Sequence, residues 1–331
     1  MHSTEAITLS FYRYHALESP EALRDQLREA WTPMGILGRI YVAREGINAQ
    51  LSVPAENWEA FEQYVRGIDW LRNVRFNFAL EGSNMAFRKL KVKVRSKIVA
   101  DGLDDRSFDP SQSGRHLDAE RFNALTERPE TVVVDMRNHY ESEIGHFEGA
   151  ICPEVTTFRE ALQKVTDELG EEVRERPVVM YCTGGIRCEK ASAWFRHRGF
   201  KEVYQLEGGI IHYKHQVEEK GLPNKFRGKN FVFDDRRGER VGEEVISRCH
   251  QCGAPCDHHV NCRNAACHLL FLQCDACAAH FEGCCSELCR EDVAVYGEES
   301  GGRAPIITAE NHYYRPGQPG VRLQKRSRET C

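Results

Sequence analysis

One short loop combines a cysteine with residues that could make its sulfur reactive. Cys182 follows the apolar segment PVVMY, and a segment of helical character, CEKASAWFRHRG, begins six residues later. A cysteine between a strand end and a helix start faces free backbone N–H groups, which favour negative charge. Glycines let the chain curl until these donors converge on the sulfur, in a loop that reads Cys182-Thr183-Gly184-Gly185-Ile186-Arg187. The pattern predicts a stabilised thiolate, or a persulfide carried on it, and favours this over a buried structural cysteine.

The motifs around this loop make the central segment resemble the rhodanese family. The active loop of that family has the form Cys-x-x-Gly-x-Arg, which Cys182, Gly185 and Arg187 fill, and LEGGI closes the segment at residues 206–210. The upstream VVVDMRNHYESEIGHFEGA matches the Asp-x-Arg, Glu and Gly-His-x-x-Gly-Ala pattern of the family. The resemblance implies that Cys182 and Arg187 are catalytic, that residues 183–186 bind an anion, and that Asp135 and Arg137 support them.

The length of the loop and the residue after it bear on the chemistry. Cys182 and Arg187 enclose four residues, as in the sulfurtransferases, whereas the related phosphatases enclose five to fit a phosphate. A phosphatase is therefore disfavoured. Cys188 either resolves a persulfide or disulfide on Cys182 or packs in the first helical turn, and helical geometry slightly favours packing.

Ten of the fourteen cysteines lie between Cys249 and Cys289. Eight of them have the short spacings of paired metal ligands, which predict two structural four-thiolate zinc sites. Joining the first pair to the third and the second to the fourth would give a cross-braced fold. Histidines as one or two ligands, an iron–sulfur cluster, and a disulfide-linked or disordered segment remain alternatives. The four pairs are Cys249 and Cys252, Cys262 and Cys267, Cys274 and Cys277, and Cys285 and Cys289.

Basic residues alternate with apolar ones near the end of the first third of the chain. A strand here would have one cationic face and one buried face. Such a stripe can follow a phosphate backbone, but lysines also protect the exposed edges of sheets, and the two interpretations are evenly balanced. The basic positions are Lys89, Lys91, Lys93, Arg95 and Lys97.

These motifs fall into separate compositional segments of a 331-residue chain with 41% apolar residues and a net charge of −5. The charge excludes a protein that coats nucleic acid by bulk electrostatics, so any such contact must be local. We predict four segments: an α+β domain over 1–110, a rhodanese-like domain over 111–224, a cysteine-rich segment over 225–300, and a loosely ordered basic tail over 301–331. The many cysteines, the lack of a secretory signal and the lack of a membrane span predict a cytoplasmic protein.

The hydrophobic pattern predicts the fold of the first two domains. In the first, strands are predicted at 7–14, 38–53 (two strands joined at Glu45-Gly46), 73–80 and 88–98, with helices at 20–29 and 55–65. The elements up to residue 80 give a β-α-β-β-α-β order, and the strand at 88–98 completes the domain. With antiparallel pairing, this is a ferredoxin-like or acylphosphatase-like plan. In the second, the segments TVVVDM, PVVMYC and EVYQLEGG alternate with helices at 156–169 and 189–198. That alternation predicts a parallel sheet covered on both faces.

The order of these parts resembles the bacterial tRNA uridine hydroxylases. AREGINAQLS at 43–52, YCTGGIRCEKAS at 181–192 and the cysteine-rich end carry the resemblance. It implies hydroxylation at carbon 5 of the wobble uridine of tRNA, with molecular oxygen as co-substrate, Cys182 as the essential cysteine and an unidentified electron donor. A thiolate that adds to carbon 6 of uracil would make carbon 5 nucleophilic toward an oxygen species.

Two other functions stay open. A sulfurtransferase would pass persulfide sulfur from Cys182 to an acceptor, and a noncatalytic adaptor would bind tRNA or protein without using the thiol. For a tRNA enzyme the anticodon loop is the expected target, because its unpaired bases can enter a pocket. The basic tail and the NKFRGK segment would add phosphate contacts. No membrane association and no obligatory protein partner are expected.

Overall fold

A computed structural model of the chain describes residues 5–82, 84–103 and 108–297. Its first domain is a five-stranded sheet in the order β4-β1-β3-β2-β5, with two helices on one face. The strands are β1 (Ala6–Tyr14), β2 (Leu37–Ala43), β3 (Gly46–Pro54), β4 (Asn77–Phe78) and β5 (Leu90–Val94). The helices are α1 (Pro20–Trp31) and α2 (Trp58–Gly67), the second preceded by a 3-10 turn at Ala55–Asn57.

The two faces of this sheet have different roles because side chains alternate along each strand. Leu9 and Phe11 of β1 point into the core that α1 and α2 cover, together with Leu27 and Trp31 of α1. The intervening residues of β1 point to the opposite face, toward the second domain. The sheet therefore joins its own core on one side and the central domain on the other.

The predicted fold is confirmed, but its last strand is not antiparallel as expected. Strand β5 pairs with β2 in parallel, because the chain crosses from β4 at one edge of the sheet to the opposite edge between Phe78 and Leu90. Strands β4 and β5 are also shorter than the predicted 73–80 and 88–98.

The second domain has a parallel sheet, as predicted, and it contains one strand more than the three expected. Its four strands lie in the order β6-β10-β9-β7. Val134 and Met180 pack on one face of it, and Val133 and Val179 pack on the other. The strands are β6 (Arg115–Leu117), β7 (Val132–Asp135), β9 (Pro177–Tyr181) and β10 (Glu202–Leu206). The helices are α3 (Ala119–Thr126), α4 (His139–Ser142), α5 (Phe158–Glu168), α6 (Ile186–His197) and α7 (Gly209–Lys220).

The cysteine-rich segment is built of short elements and is joined to the central domain through a small three-stranded sheet, β12-β11-β8. The basic tail at 301–331 and residues 104–107 of the linker lie outside the described residues. No helix in the described part of the chain is long and apolar enough to cross a membrane. The remaining elements are β8 (Gly145–Phe147), β11 (Phe226–Asn230), β12 (Glu239–Arg240), β13 (His259–Asn261), β14 (Leu270–Leu272), α8 (Asp275–His280) and α9 (Glu287–Tyr296).

Candidate active site and metal sites

The Cys182 loop joins the end of β9 to the first turn of α6. Gly185 is the residue before that helix and has a φ of +97°, in the left-handed region that favours glycine. This conformation turns the Gly185 N–H toward the Cys182 sulfur at 3.1 Å. Gly184 lies in the same loop without a left-handed φ, so the curl of the loop depends on Gly185.

Cys182 is fully buried, yet its sulfur is surrounded by hydrogen-bond donors and a positive charge. Burial alone would raise the pKa of the thiol. A hydrogen bond from the Cys188 thiol, the charge of Arg187, and the backbone N–H groups of Arg187 and Gly185 outweigh burial and lower the pKa of Cys182 to about 6. The thiol is therefore mostly ionised at neutral pH, as the strand–loop–helix pattern predicts.

Arg187 is held beside the sulfur by a buried carboxylate. Its guanidinium donates two hydrogen bonds to Glu141, at 2.6 and 2.8 Å, and a third of 3.3 Å to the Thr183 hydroxyl. Because Glu141 is fully buried, its carboxylate cannot move freely. The Arg187 guanidinium paired with it is therefore fixed in place, and so is the loop that carries Arg187. Sequence reasoning found Glu141 only as part of a family motif and assigned it no role.

Asp135 and Arg137 form a second buried ion pair, at 2.6 Å. Arg137 also donates to the Gly145 carbonyl at 2.5 Å, and its guanidinium lies over the rings of Tyr181 and Phe226. These contacts tie β7 to β8, β9 and β11. The pair supports the domain beneath the loop and makes its contacts away from the Cys182 sulfur.

The first domain covers the Cys182 loop. The sequence analysis did not predict this contact. Asn77 of β4 donates to the Gly184 carbonyl at 3.2 Å, and the Tyr14 hydroxyl donates to the Ile186 carbonyl at 3.3 Å. The Tyr12 hydroxyl lies 2.9 Å from where a Cβ on Gly185 would stand. The sulfur thus lies between two domains. A cleft next to the loop is lined by Ser10, Asn77 and Thr183, the neighbour of Cys182.

Ion pairs hold the two domains together around this interface. Lys190 of α6 is almost fully buried and binds Asp101 at 2.5 Å and Glu45 at 2.8 Å. Glu189, in the same helix turn, accepts hydrogen bonds from Tyr12 at 3.0 Å and contacts His116 at 2.9 Å. These contacts position α6, and with it the loop, against the covering sheet.

The basic strand continues the face that covers the loop. In register across the sheet, Tyr12 lies opposite Asn48, Asn48 opposite Tyr41, and Tyr41 opposite Lys93. Three strand spacings of about 4.8 Å place Lys93 roughly 15 Å from Tyr12. We call this the basic face; it consists of Arg39, Lys89, Lys91, Lys93 and Arg95, all exposed.

Lys97 is not part of the basic face, contrary to the prediction. It lies beyond the end of β5, and its ammonium binds Asp101 and donates to the Leu103 carbonyl at 2.8 Å. The alternating pattern of the sequence extends past the point at which the strand ends, so it assigns Lys97 to a face that the backbone no longer forms.

The cysteine-rich segment contains two groups of four sulfurs, and within each group all sulfurs lie within 4.8 Å of one another. The backbone N–H of Cys274 points to the Cys249 sulfur, and that of Cys285 points to the Cys262 sulfur, both at 3.4 Å. Four sulfurs this close fit the ligand positions of a tetrahedral metal ion. Without an ion, four thiolates would repel one another and four thiols would place their protons too close together. The groups are Cys249, Cys252, Cys274 and Cys277, and Cys262, Cys267, Cys285 and Cys289.

Comparison with known proteins gives three family matches along the chain. A UPF0176 acylphosphatase-like domain matches residues 6–98, a rhodanese-like domain matches residues 118–216, and a rhodanese C-terminal domain matches residues 227–290.

Three similar proteins share one name. A protein from Photorhabdus laumondii is 49% identical over 96% of this chain and 92% of its own length. A protein from Cronobacter sakazakii is 53% identical over 89% of this chain and 85% of its own length. A protein from Leptospira interrogans is 55% identical over 86% of this chain and 77% of its own length. Each is named tRNA uridine(34) hydroxylase.

Proposed function

The chain belongs to the tRNA uridine(34) hydroxylase family, and from this membership and the geometry of the Cys182 loop we infer that it hydroxylates the wobble uridine of tRNA with Cys182 as the catalytic residue. The observation that carries the role of Cys182 is its ionisation. A buried sulfur with a pKa of about 6 is a nucleophile at neutral pH, and the loop amides and Arg187 keep it so.

The thiolate supplies what the hydroxylation needs at the pyrimidine ring. Uracil is electrophilic at carbon 6, and addition of the Cys182 sulfur there shifts an electron pair to carbon 5. Carbon 5 then attacks molecular oxygen, which we propose as co-substrate. The anion-binding loop stabilises the thiolate before addition and after release, with Thr183, Gly184 and Ile186 forming its wall.

The basic face accounts for tRNA binding. Its cations lie roughly 15 Å from the tyrosines that cover the loop, so a strand that enters beside Cys182 passes along them. Lys89, Lys91, Lys93 and Arg95 neutralise phosphates, and Arg39 of β2 joins them on the same face. We propose that the anticodon loop binds here, since its unpaired wobble base can turn into the site.

The four-thiolate groups are proposed to bind two structural zinc ions. Each group uses four protein ligands, so a bound ion would have no open position for catalysis. Zinc would supply cross-links between short elements that bury little apolar surface by themselves. The domains would then divide the work, with tRNA binding at 1–110, catalysis at 111–224 and metal-dependent folding at 225–300. Action on tRNA is consistent with the cytoplasmic location expected from the sequence.

The test is hydroxylation by the purified full-length protein. Unmodified tRNA is incubated with the protein in air and a dithiol reductant, and nucleosides are measured by mass spectrometry. We expect 5-hydroxyuridine from the wild type and from the Cys152→Ser control, whose thiol belongs to neither the loop nor a metal group. Cys182→Ser should give none. Full hydroxylation by Cys182→Ser would contradict the assigned role of this residue.

A sulfurtransferase is the second candidate, because the loop encloses the four residues typical of that class. In this case the Cys182 sulfur would carry a persulfide and pass sulfur to an acceptor. Supplying thiosulfate in place of oxygen separates the two functions. Thiolated nucleosides or a sulfurated acceptor would favour transfer, whereas cells lacking the protein should lose 5-hydroxyuridine and keep their thiolated nucleosides if hydroxylation is the function.

A further inference from the structure

The two cysteines of the active-site loop lie in one buried cluster. Cys188 lies in the first turn of α6, where its backbone N–H donates to the Gly185 carbonyl at 3.0 Å. Its side chain lies near enough to the Cys182 sulfur to lower the pKa of Cys182. Both residues are fully buried and share one apolar cluster with Ala191 and Phe195. Cys188 is therefore a second thiol close to Cys182, and both are shielded from solvent.

Hydroxylation by molecular oxygen needs two electrons that the substrate does not supply. One oxygen atom enters the carbon–hydrogen bond at carbon 5, and the other must be reduced to water. The sequence carries no evident flavin or haem motif. A pair of thiols that becomes a disulfide releases two electrons and two protons, which is the amount required.

We propose that Cys182 and Cys188 together are the internal two-electron donor of the hydroxylation. This inference rests on the proposed function. In its overall balance, uridine, one O₂ and two thiols give 5-hydroxyuridine, one water and one Cys182–Cys188 disulfide. Uracil is oxidised by the insertion of oxygen, the thiols are oxidised to the disulfide, and O₂ is reduced.

Each step of this scheme forms and breaks defined bonds. Carbon 5 bonds to O₂ and loses its proton, and the Cys182–carbon 6 bond breaks, which leaves a hydroperoxide on carbon 5 and a free Cys182 thiolate. The thiolate attacks the outer oxygen, so the O–O bond breaks, carbon 5 keeps a hydroxyl, and Cys182 becomes a sulfenic acid. The Cys188 sulfur then bonds to the Cys182 sulfur, and the hydroxyl leaves as water with the Cys188 proton.

The surroundings of the pair suit these two different roles. Burial and the contact with Cys182 raise the pKa of Cys188 well above its ordinary value. Cys182 is thus the anion that attacks, and Cys188 keeps the proton that the leaving water requires. Cys182 and Cys188 are both fully buried, so Cys188 is the thiol available to the sulfenic acid within the site. An external dithiol must then reduce the disulfide before the next turnover.

The test uses full-length, metal-loaded protein that is first reduced and then freed of reductant. Reduced protein is mixed with unmodified tRNA in air, quenched in acid, and treated in denaturant with a dione that labels sulfenic acids. Mass spectrometry counts 5-hydroxyuridine per chain and identifies the state of Cys182. The variants are Cys188→Ser, which keeps a hydrogen-bond donor but has no thiol, and Cys152→Ser as the matched control.

The wild type and Cys152→Ser should form one 5-hydroxyuridine per chain, stop with a Cys182–Cys188 disulfide, and resume when a dithiol is added. Cys188→Ser should stop with labelled sulfenic acid at Cys182 and no disulfide. Continued turnover of the wild type without reductant, or a first turnover that leaves both thiols free, would overturn the proposal. If the wild type makes no 5-hydroxyuridine even with dithiol present, the proposed function itself is wrong.

Discussion

Removing the hydrogen bond from Cys188 should shift the ionisation of Cys182 by a calculable amount. This bond is the largest of the contributions that lower the Cys182 pKa to about 6. A hydrogen bond to a charged group contributes about 1.5–3 kcal/mol, and a pKa unit corresponds to about 1.4 kcal/mol. We therefore expect Cys188→Ala to raise the pKa of Cys182 to about 7–8.

The sign follows from which form the bond stabilises. The Cys188 thiol donates to the thiolate, so its loss favours the protonated sulfur. At pH 7 the ionised fraction of Cys182 should fall from about nine tenths to between about a half and a tenth. Hydroxylation limited by the thiolate should lose activity at pH 7 and recover as the pH rises toward 9.

The assay is the pH dependence of iodoacetamide alkylation at Cys182, followed by peptide mass spectrometry. The rate rises with pH, and its midpoint reports the pKa whatever the accessibility of the sulfur. Cys188→Ser keeps a hydroxyl donor and should restore a midpoint close to that of the wild type. The hydrogen-bond argument is refuted if Cys188→Ala leaves the midpoint unchanged, or if the serine variant shifts it as far as the alanine variant does.

Three further changes test other parts of the structure. Gly185→Ala should lower the free energy of unfolding by roughly 1–2 kcal/mol and abolish hydroxylation, because the φ of Gly185 is +97°. Gly184→Ala is the control, since its added Cβ meets its nearest neighbour at 3.5 Å. Calorimetry should show that this control folds normally. Lys93→Gln should weaken tRNA binding and reduce the salt slope by about one, measured by fluorescence anisotropy, whereas Lys97→Gln should leave that slope unchanged. Cys249→Ser should reduce the bound metal from two equivalents per chain to one, measured by elemental mass spectrometry, and an unchanged metal content would contradict the four-thiolate site.

Much of the fold was predictable because its signals are local. The strand–helix alternation of both domains follows from hydrophobic periodicity, and the loop follows from a strand end, glycines and an arginine within a few residues. Helix α6 begins at Ile186, before the predicted 189, since the loop residues themselves form its first turn. Helices α3 and α7 were not predicted, and each depends on packing against the sheet.

The rest of the site could not be read locally because it arises from contacts between distant segments. Tyr12 and Asn77 approach the loop across more than a hundred residues, and no pattern around them indicates that contact. The parallel pairing of β5 depends on which edge the chain reaches, which a single strand does not record. Lys97 continues the alternating sequence pattern of its neighbours, but its side chain binds Asp101, four residues later, and does not lie on the basic face.

The division of the reaction centre between two domains has a consequence for any attempt to shorten the protein. The loop alone provides an acidic thiol, but its roof comes from β1 and β4 of the preceding domain. A fragment restricted to the central domain would keep the amide cradle and leave the sulfur open to bulk solution. There it would be consumed by unproductive oxidation. The first domain shields the sulfur, and the central domain makes it reactive. Neither domain would therefore work in another protein without the other.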